Sequence, residues 1–428
     1  MKLHTGIAAL AVAALGLTAC TSDPGTDAGT EAASSPAASA TGTLRVWLMD
    51  QSQPQSVIDE VTARFTEQYP GVEVDVELQK WTGIQDRLAT TLGTDSTPDV
   101  VEIGNTLTAK YADAGFLADL SAYAEDLKVD GMLPGLAPSG ELDGIRYGIP
   151  YYGGVGVVVY HKGQFKDAGV EVPTSLGELA AAAEKLQQAN ADNGAYSAFY
   201  FPGKSWVGAL PFVWDAGGEI AVRDGDTWSG TLDSPESVTG LSTLKGLVAA
   251  YSKAPIDADD NGNVEAFTTG NVGMMIDSWW VPGVLDTGEL KGDVGAFALP
   301  GTAPGSTSPV LFRGSDLAVP AKSSQQALAV KWIEILAGLE VQTKLAGAGV
   351  IPNQEGAFAG HQGNAYLGVA DAAATNSRFT PVSPYWINVE TTQVLPDMLV
   401  EILSNSATVE EAAAGASERI TSILNGEG

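Results

Sequence analysis

From Leu44 onward the chain alternates between two spacings of apolar residues. Leu44 to Met49 is a short run, apolar but for Arg45, of the kind that makes a buried strand. Val57, Val61, Phe65 and Tyr69 then recur every four residues, one face of a helix, which Pro70 and Gly71 end. Val72, Val74, Val76 and Leu78 alternate with Glu73, Asp75, Glu77 and Gln79, predicting a strand with one face in solvent. Thr82 and Gln85 stand at capping-box spacing before Ile84, Leu88 and Leu92, and Pro98 precedes an apolar strand over 99–103. This β-α-β-α-β beginning is the pattern of a parallel sheet flanked by helices, with a ligand crevice beyond the carboxyl ends of its strands.

The same logic returns downstream. Gly154 to Tyr160 reads as a strand, Ser175 and Glu178 cap a helix running through Leu179 and Leu186, and Ala198 to Phe201 reads as another strand. A second α/β lobe is expected, since the chain beyond Gly42 is longer than one core usually accommodates. Val394 to Leu403, and a helix capped by Thr408 and Glu411, present apolar faces expected to clamp the two lobes.

What precedes Leu44 is not fold. Met1 to Leu17 has Lys2 in a polar start and an apolar run from Ile7, too short to cross a bilayer and the right length for a signal segment. Leu17, Thr18, Ala19 and Cys20 resemble the lipobox of bacterial lipoproteins, which implies cleavage before Cys20 and a diacylglycerol on its thiol. Cys20 is the one cysteine, so no disulfide forms within a monomer. Residues 21–42 contain no aromatic residue and no Val, Ile, Leu or Met, and read as a flexible leash to the outer face of the cytoplasmic membrane. Lysine plus arginine number 22 against 52 acidic residues, a net charge of −30. Such a surface repels phosphate, which excludes nucleic acid as a partner, and leaves a neutral ligand unpenalised.

Pro98 to Tyr111, reading Pro-Asp-Val-Val-Glu-Ile-Gly-Asn-Thr-Leu-Thr-Ala-Lys-Tyr, resembles the extracellular solute-binding proteins of carbohydrate ABC importers, the family-1 group that includes maltose- and chitobiose-binding proteins. The likeness continues through Gly148 to Gly154, Phe201 to Gly218, Gly314 to Pro320 and Asn376 to Glu390. It implies a type II periplasmic-binding fold: two α/β lobes joined by three crossovers, near Tyr151, Pro300 and Gly349, with the ligand in the cleft. The N-terminal lobe would take residues 43–151 and 301–348, the C-terminal lobe 152–300 and 349–428. The resemblance further implies an oligosaccharide ligand, a membrane permease as partner, a monomeric receptor, and no cofactor.

A pyranose offers apolar C–H faces and a ring of hydroxyls, so its site needs aromatic surfaces and polar groups that each hold neighbouring hydroxyls. Among nine tryptophans, Trp81 follows a strand, Trp206 follows a Pro-Gly turn, Trp279 and Trp280 close an apolar strand, and Trp386 lies in a Pro-rich loop. Trp206, Trp280 and Trp386 match stacking positions of the resembling family; for Trp81 and Trp279 core packing is an equal reading, and Trp47 and Trp332 read as core. For hydroxyl contacts the candidates are Asp50, Asn105, Lys204, Arg313, Ser315 and Asp316, all after strands or turns. Gly153, Gly154 and Gly314 fall where a backbone approaches sugar, or merely where the chain reverses.

Other chemistries find less support. Gly154, Val155, Gly156 opens like a dinucleotide fingerprint, but Val159 replaces its last glycine. Asp257, Asp259, Asn261 and Gly262 open like a calcium loop, yet Thr268 stands where the bidentate glutamate belongs, so no metal site is assigned. Beyond the signal segment only His161 and His361 remain, with neither Gly-x-Ser-x-Gly nor His-Glu-x-x-His, so no catalytic residue is named. A glycosidase using two carboxylates stands as the main alternative, and an adhesive surface lipoprotein as a third reading.

Overall fold

The computed structural model describes residues 39–361 and 363–427, so the signal segment, Cys20 and most of the leash lie outside the described residues. Ten strands build two sheets: β1 (Gly42–Met49), β2 (Val72–Gln79), β3 (Val100–Gly104), β4 (Gly148–Gly154), β5 (Gly156–His161), β6 (Ser197–Tyr200), β7 (Val272–Ser278), β8 (Val294–Phe297), β9 (Arg313–Ala318) and β10 (Ile351–Pro352). The first sheet has the order β10-β4-β9-β3-β1-β2, with β1 parallel to β2 and β3, and β9 antiparallel to both its neighbours. The second has the order β8-β5-β7-β6, with β7 parallel to β6 and antiparallel to β5.

Strand β1 is apolar on both faces because it is covered on both. Leu44, Val46 and Leu48 join the core beneath the helices Gln55–Gln68 and Gln326–Ala337, while Trp47 and Met49 join the opposite core with Ile84, Leu88 and Ile103. Edge strand β2 keeps the expected alternation from Val72 to Glu77, but its last two residues reverse it, with Leu78 exposed and Gln79 buried. Ser175 caps its helix through the Glu178 N–H, and Thr408 with Glu411 closes a reciprocal capping box. The expected cap at Thr82 does not form: Gly83 turns the chain at φ 78° and the helix Ile84–Thr91 starts without a side-chain cap.

The strand expected from Gly154 to Tyr160 forms as β5 from Gly156 to His161, while Gly154 itself closes β4. Strand β4 ends at Gly154 in the first sheet and β5 begins at Gly156 in the second, so the chain changes sheets across Val155. It returns at Phe312, where Leu311 belongs to the second sheet's core and Arg313 already pairs with Gly154. Ile351 and Pro352 pair with Gly153 and Tyr152, which carries the first sheet past the expected boundary at residue 348. Val155, Phe312 and Ile351 share one apolar cluster, so the three crossings are packed together. A Cβ on Gly153 would collide with the Phe312 ring and one on Gly314 with the Tyr152 carbonyl, so close chain crossing requires glycine at both.

The C-terminal helices Val394–Ser404 and Val409–Leu424 do not straddle the sheets as expected. Their apolar faces both fit the second sheet's core, around Phe199, Phe212 and Met274. The short helix Trp386–Thr391 takes the straddling position: Trp386 and Val389 enter that core, and Ile387 enters the one around Trp47. No helix among the described residues is long and apolar enough to cross a membrane.

Candidate functional site

Both sheets contribute to a cavity of about 420 Å³. The first sheet supplies Trp81, two residues beyond β2, Gly104 to Thr106 where β3 ends, and Arg313 with Gly314 at the start of β9. Thus the cavity meets the carboxyl ends of two parallel strands, where such sheets leave a crevice. The second side supplies Asp277 and Ser278 from the end of β7, Trp279 and Trp280 beyond it, Asp260, and one face of the helix Trp206–Asp215.

Of the residues singled out from sequence, Trp81, Asn105, Trp279, Trp280 and Arg313 line this cavity. Trp81 is 45% exposed and Trp280 is 50% exposed, so their rings are free to take an apolar sugar face. Trp279 is more committed to packing: its ring lies against Gly154, its backbone N–H donates to the Val155 carbonyl at 3.0 Å, and two apolar clusters hold it. Asn105 is 3% exposed and its Nδ2 has no hydrogen-bond partner. A buried amide donor without a partner is uncommon, and here it borders open space that a ligand acceptor can fill.

Six expected residues are placed elsewhere, each for a local reason. Asp50 stays exposed because Gln51, at φ 68°, turns the chain so that Ser52 points inward instead. Ser52 Oγ donates to Glu102 at 2.9 Å and shares a 2.7 Å bond with the Tyr152 hydroxyl. Glu102, wholly buried, also accepts from the Met49 N–H at 2.7 Å, and burial raises its pKa. Lys204 precedes the helix, and Trp206 is turned off the cavity face carried by Val207, Gly208 and Pro211, as a rotation of about 100° per residue requires. The Trp206 ring instead carries the Arg313 guanidinium, 5.9 Å from its centre.

Strand β9 enters the middle of its sheet, so only Arg313 and Gly314 reach the cavity and Ser315 and Asp316 are fully buried. Ser315 Oγ, although beside Glu102, has no well-formed partner. Asp316 accepts from Thr108 at 2.6 Å and Ser139 at 2.7 Å; burial pushes its pKa up to about 6, against those bonds and Arg146. Trp386 is 1% exposed and its indole N–H donates to Glu390 at 2.7 Å, which makes it core rather than a stacking surface.

Asp260 and Asp277 also line the cavity, although no motif in the sequence singles them out as ligand contacts. Burial, and secondarily Asp260, push Asp277 up to about 6, although the Ser278 N–H opposes the shift at 2.6 Å. Asp260 lies in the stretch that opens like a calcium loop; there Asp259 is spent internally on the Asn261 N–H and amide, at 3.1 and 2.7 Å. Asp260 remains open to solvent at the cavity's mouth while protein crowds its inner side, and that crowding raises its pKa. Asp277 and Ser278 stand directly before the two tryptophans at a strand end, a positional cue only.

The profile of bacterial extracellular solute-binding proteins matches residues 50–343. The diacetylchitobiose binding protein DasA of Streptomyces coelicolor is 35% identical over 354 residues, 81% of this chain and 82% of that protein. The sugar-binding protein MalE of Xanthomonas citri superposes with a TM-score of 0.76 at 21% identity, over 90% of this chain and 97% of that one. The GacH receptor of Streptomyces glaucescens, solved unliganded and with acarbose, does so with a TM-score of 0.72 at 21% identity, over 91% of this chain and all of that one. At this identity the two likenesses show the fold, a two-lobed α/β architecture of type II.

Proposed function

This chain belongs to the family of bacterial extracellular solute-binding proteins, and from that premise we propose that it captures a di- or short oligosaccharide outside the cell for an ABC importer. The observation that carries the reading is the cavity itself. Half-exposed Trp81 and Trp280 come from opposite sheets, with the orphaned Asn105 amide and Arg313 between apolar surfaces. That is the pairing of flat faces and convergent polar groups a pyranose needs. In the proposed mechanism sugar bridges the two sides, shifts an open–closed equilibrium, and the closed form is recognised by the permease. Hinge movement is assigned to Val155, Phe312 and the chain beyond Pro352, the second of these lying well past the crossover expected near Pro300.

Cys20, lipidated, is proposed as the anchor of a monomeric receptor on the outer face of the cytoplasmic membrane. The solute-binding relatives favour a receptor over an enzyme, although Asp260 and Asp277 in one cavity are the residue types a glycosidase would use. Thermal unfolding of the full chain with diacetylchitobiose, cellobiose, maltose and xylobiose tests the reading. A disaccharide at ~100 times its Kd adds about 2.7 kcal/mol, so at least one should raise Tm by several degrees and be recovered intact. Unchanged Tm with every saccharide would refute carbohydrate capture, and a cleaved sugar would make the chain an enzyme.

A further inference from the structure

Charge in the cavity is unbalanced. Among the described residues its charged lining is Asp260, Asp277 and Arg313. Arg313 is already shared, since its positive charge also acts on the largely buried Glu390 behind the wall. The two carboxylates of the lining therefore meet one guanidinium, whose charge is divided between Asp260 and Glu390. Asn263 is fully buried beside both Asp260 and Asp277 and favours the charged form of each, but its contacts fall short of well-formed hydrogen bonds and leave the like charges largely uncompensated. A neutral sugar filling this space would take Asp277 further from water beside a like charge, which is unfavourable unless a proton or a cation arrives.

Resting on the carbohydrate reading above, we propose that the preferred saccharide carries a protonated amine seated against Asp260 and Asp277, making it an oligosaccharide of 2-amino-2-deoxy sugar with at least one free amino group. An ammonium supplies three donors and the missing positive charge, and its bonds to carboxylates are about twice as strong as neutral ones. The half-exposed face of Trp280, close in sequence to Asp277 and Ser278, attracts the same cation. The net charge of −30 raises the concentration of a cationic ligand around the whole molecule. An acetylated nitrogen has none of these advantages, because it bears no charge.

Calorimetric titration of the full chain with three β-1,4 disaccharides that differ only at C2 decides the matter: the glucosamine dimer, diacetylchitobiose and cellobiose. At neutral pH and low salt the glucosamine dimer should bind at least ~10-fold more tightly than either neutral sugar, about 1.4 kcal/mol. High salt should shrink that advantage. Asp277→Asn and Asp260→Asn should each reduce it as well, both variants first shown to be folded by their unfolding transitions. If a neutral disaccharide binds as tightly as the amine or more so, the inference falls while carbohydrate capture stands. If none of the three binds while another saccharide does, the inference again falls alone; if no saccharide binds, both fall.

Discussion

Tryptophans in this chain divide into those whose rings face open space and those consumed by packing, and substitution should separate them. Trp280→Ala and Trp81→Ala remove half-exposed faces at the cavity. Each should weaken saccharide binding roughly tenfold, or about 1.4 kcal/mol, with little change in unfolding free energy. Trp386→Ala should instead cost about 3–5 kcal/mol of stability, since it empties a buried site and strands Glu390. Titration and denaturant unfolding of the same three variants measure both. Trp81 and Asn105 were legible because strand ends are readable from apolar spacing. Trp206 and Trp386 were not, because helix phase and core membership depend on partners far away in sequence.

Strands and helices were legible wherever the pattern was local, as in the capping box at Thr408 and Glu411 and the alternation of β2 from Val72 to Glu77. The break at Val155 was hidden because a continuous apolar run looks the same whether one sheet or two receive it. Burial of β9 was equally hidden, and it has a measurable consequence at Asp316, which ties that strand to Thr108 and Ser139. Its folded pKa of about 6 lies above the ordinary value of 3.8, so the folded state holds an extra proton between the two. Stability from this group is present below about pH 4 and is lost as pH rises through 6. Relative to Asp316→Asn, the native chain should therefore lose on the order of 2 kcal/mol of unfolding free energy between pH 4 and 7, in a denaturant series at each pH. A difference independent of pH would contradict the burial argument.

Two sheets that exchange the chain three times through one apolar cluster make a molecule whose cavity belongs to both halves. Length and alternation made the two lobes readable from sequence, whereas the charge imbalance in the cavity emerges only when Asp260, Asp277 and Arg313 are brought together by folding. The strongly acidic surface stays compatible with a neutral or cationic solute and unfavourable to phosphate. The claim on which everything else depends is that a saccharide is held whole in this cavity. A crystal structure of the full chain grown with whichever disaccharide raises Tm most tests it directly. An intact sugar is expected between Trp81 and Trp280, within hydrogen-bond reach of Asn105 Nδ2 and of Asp277. Sugar bound at another surface, or a cavity left empty at saturating ligand, would contradict it.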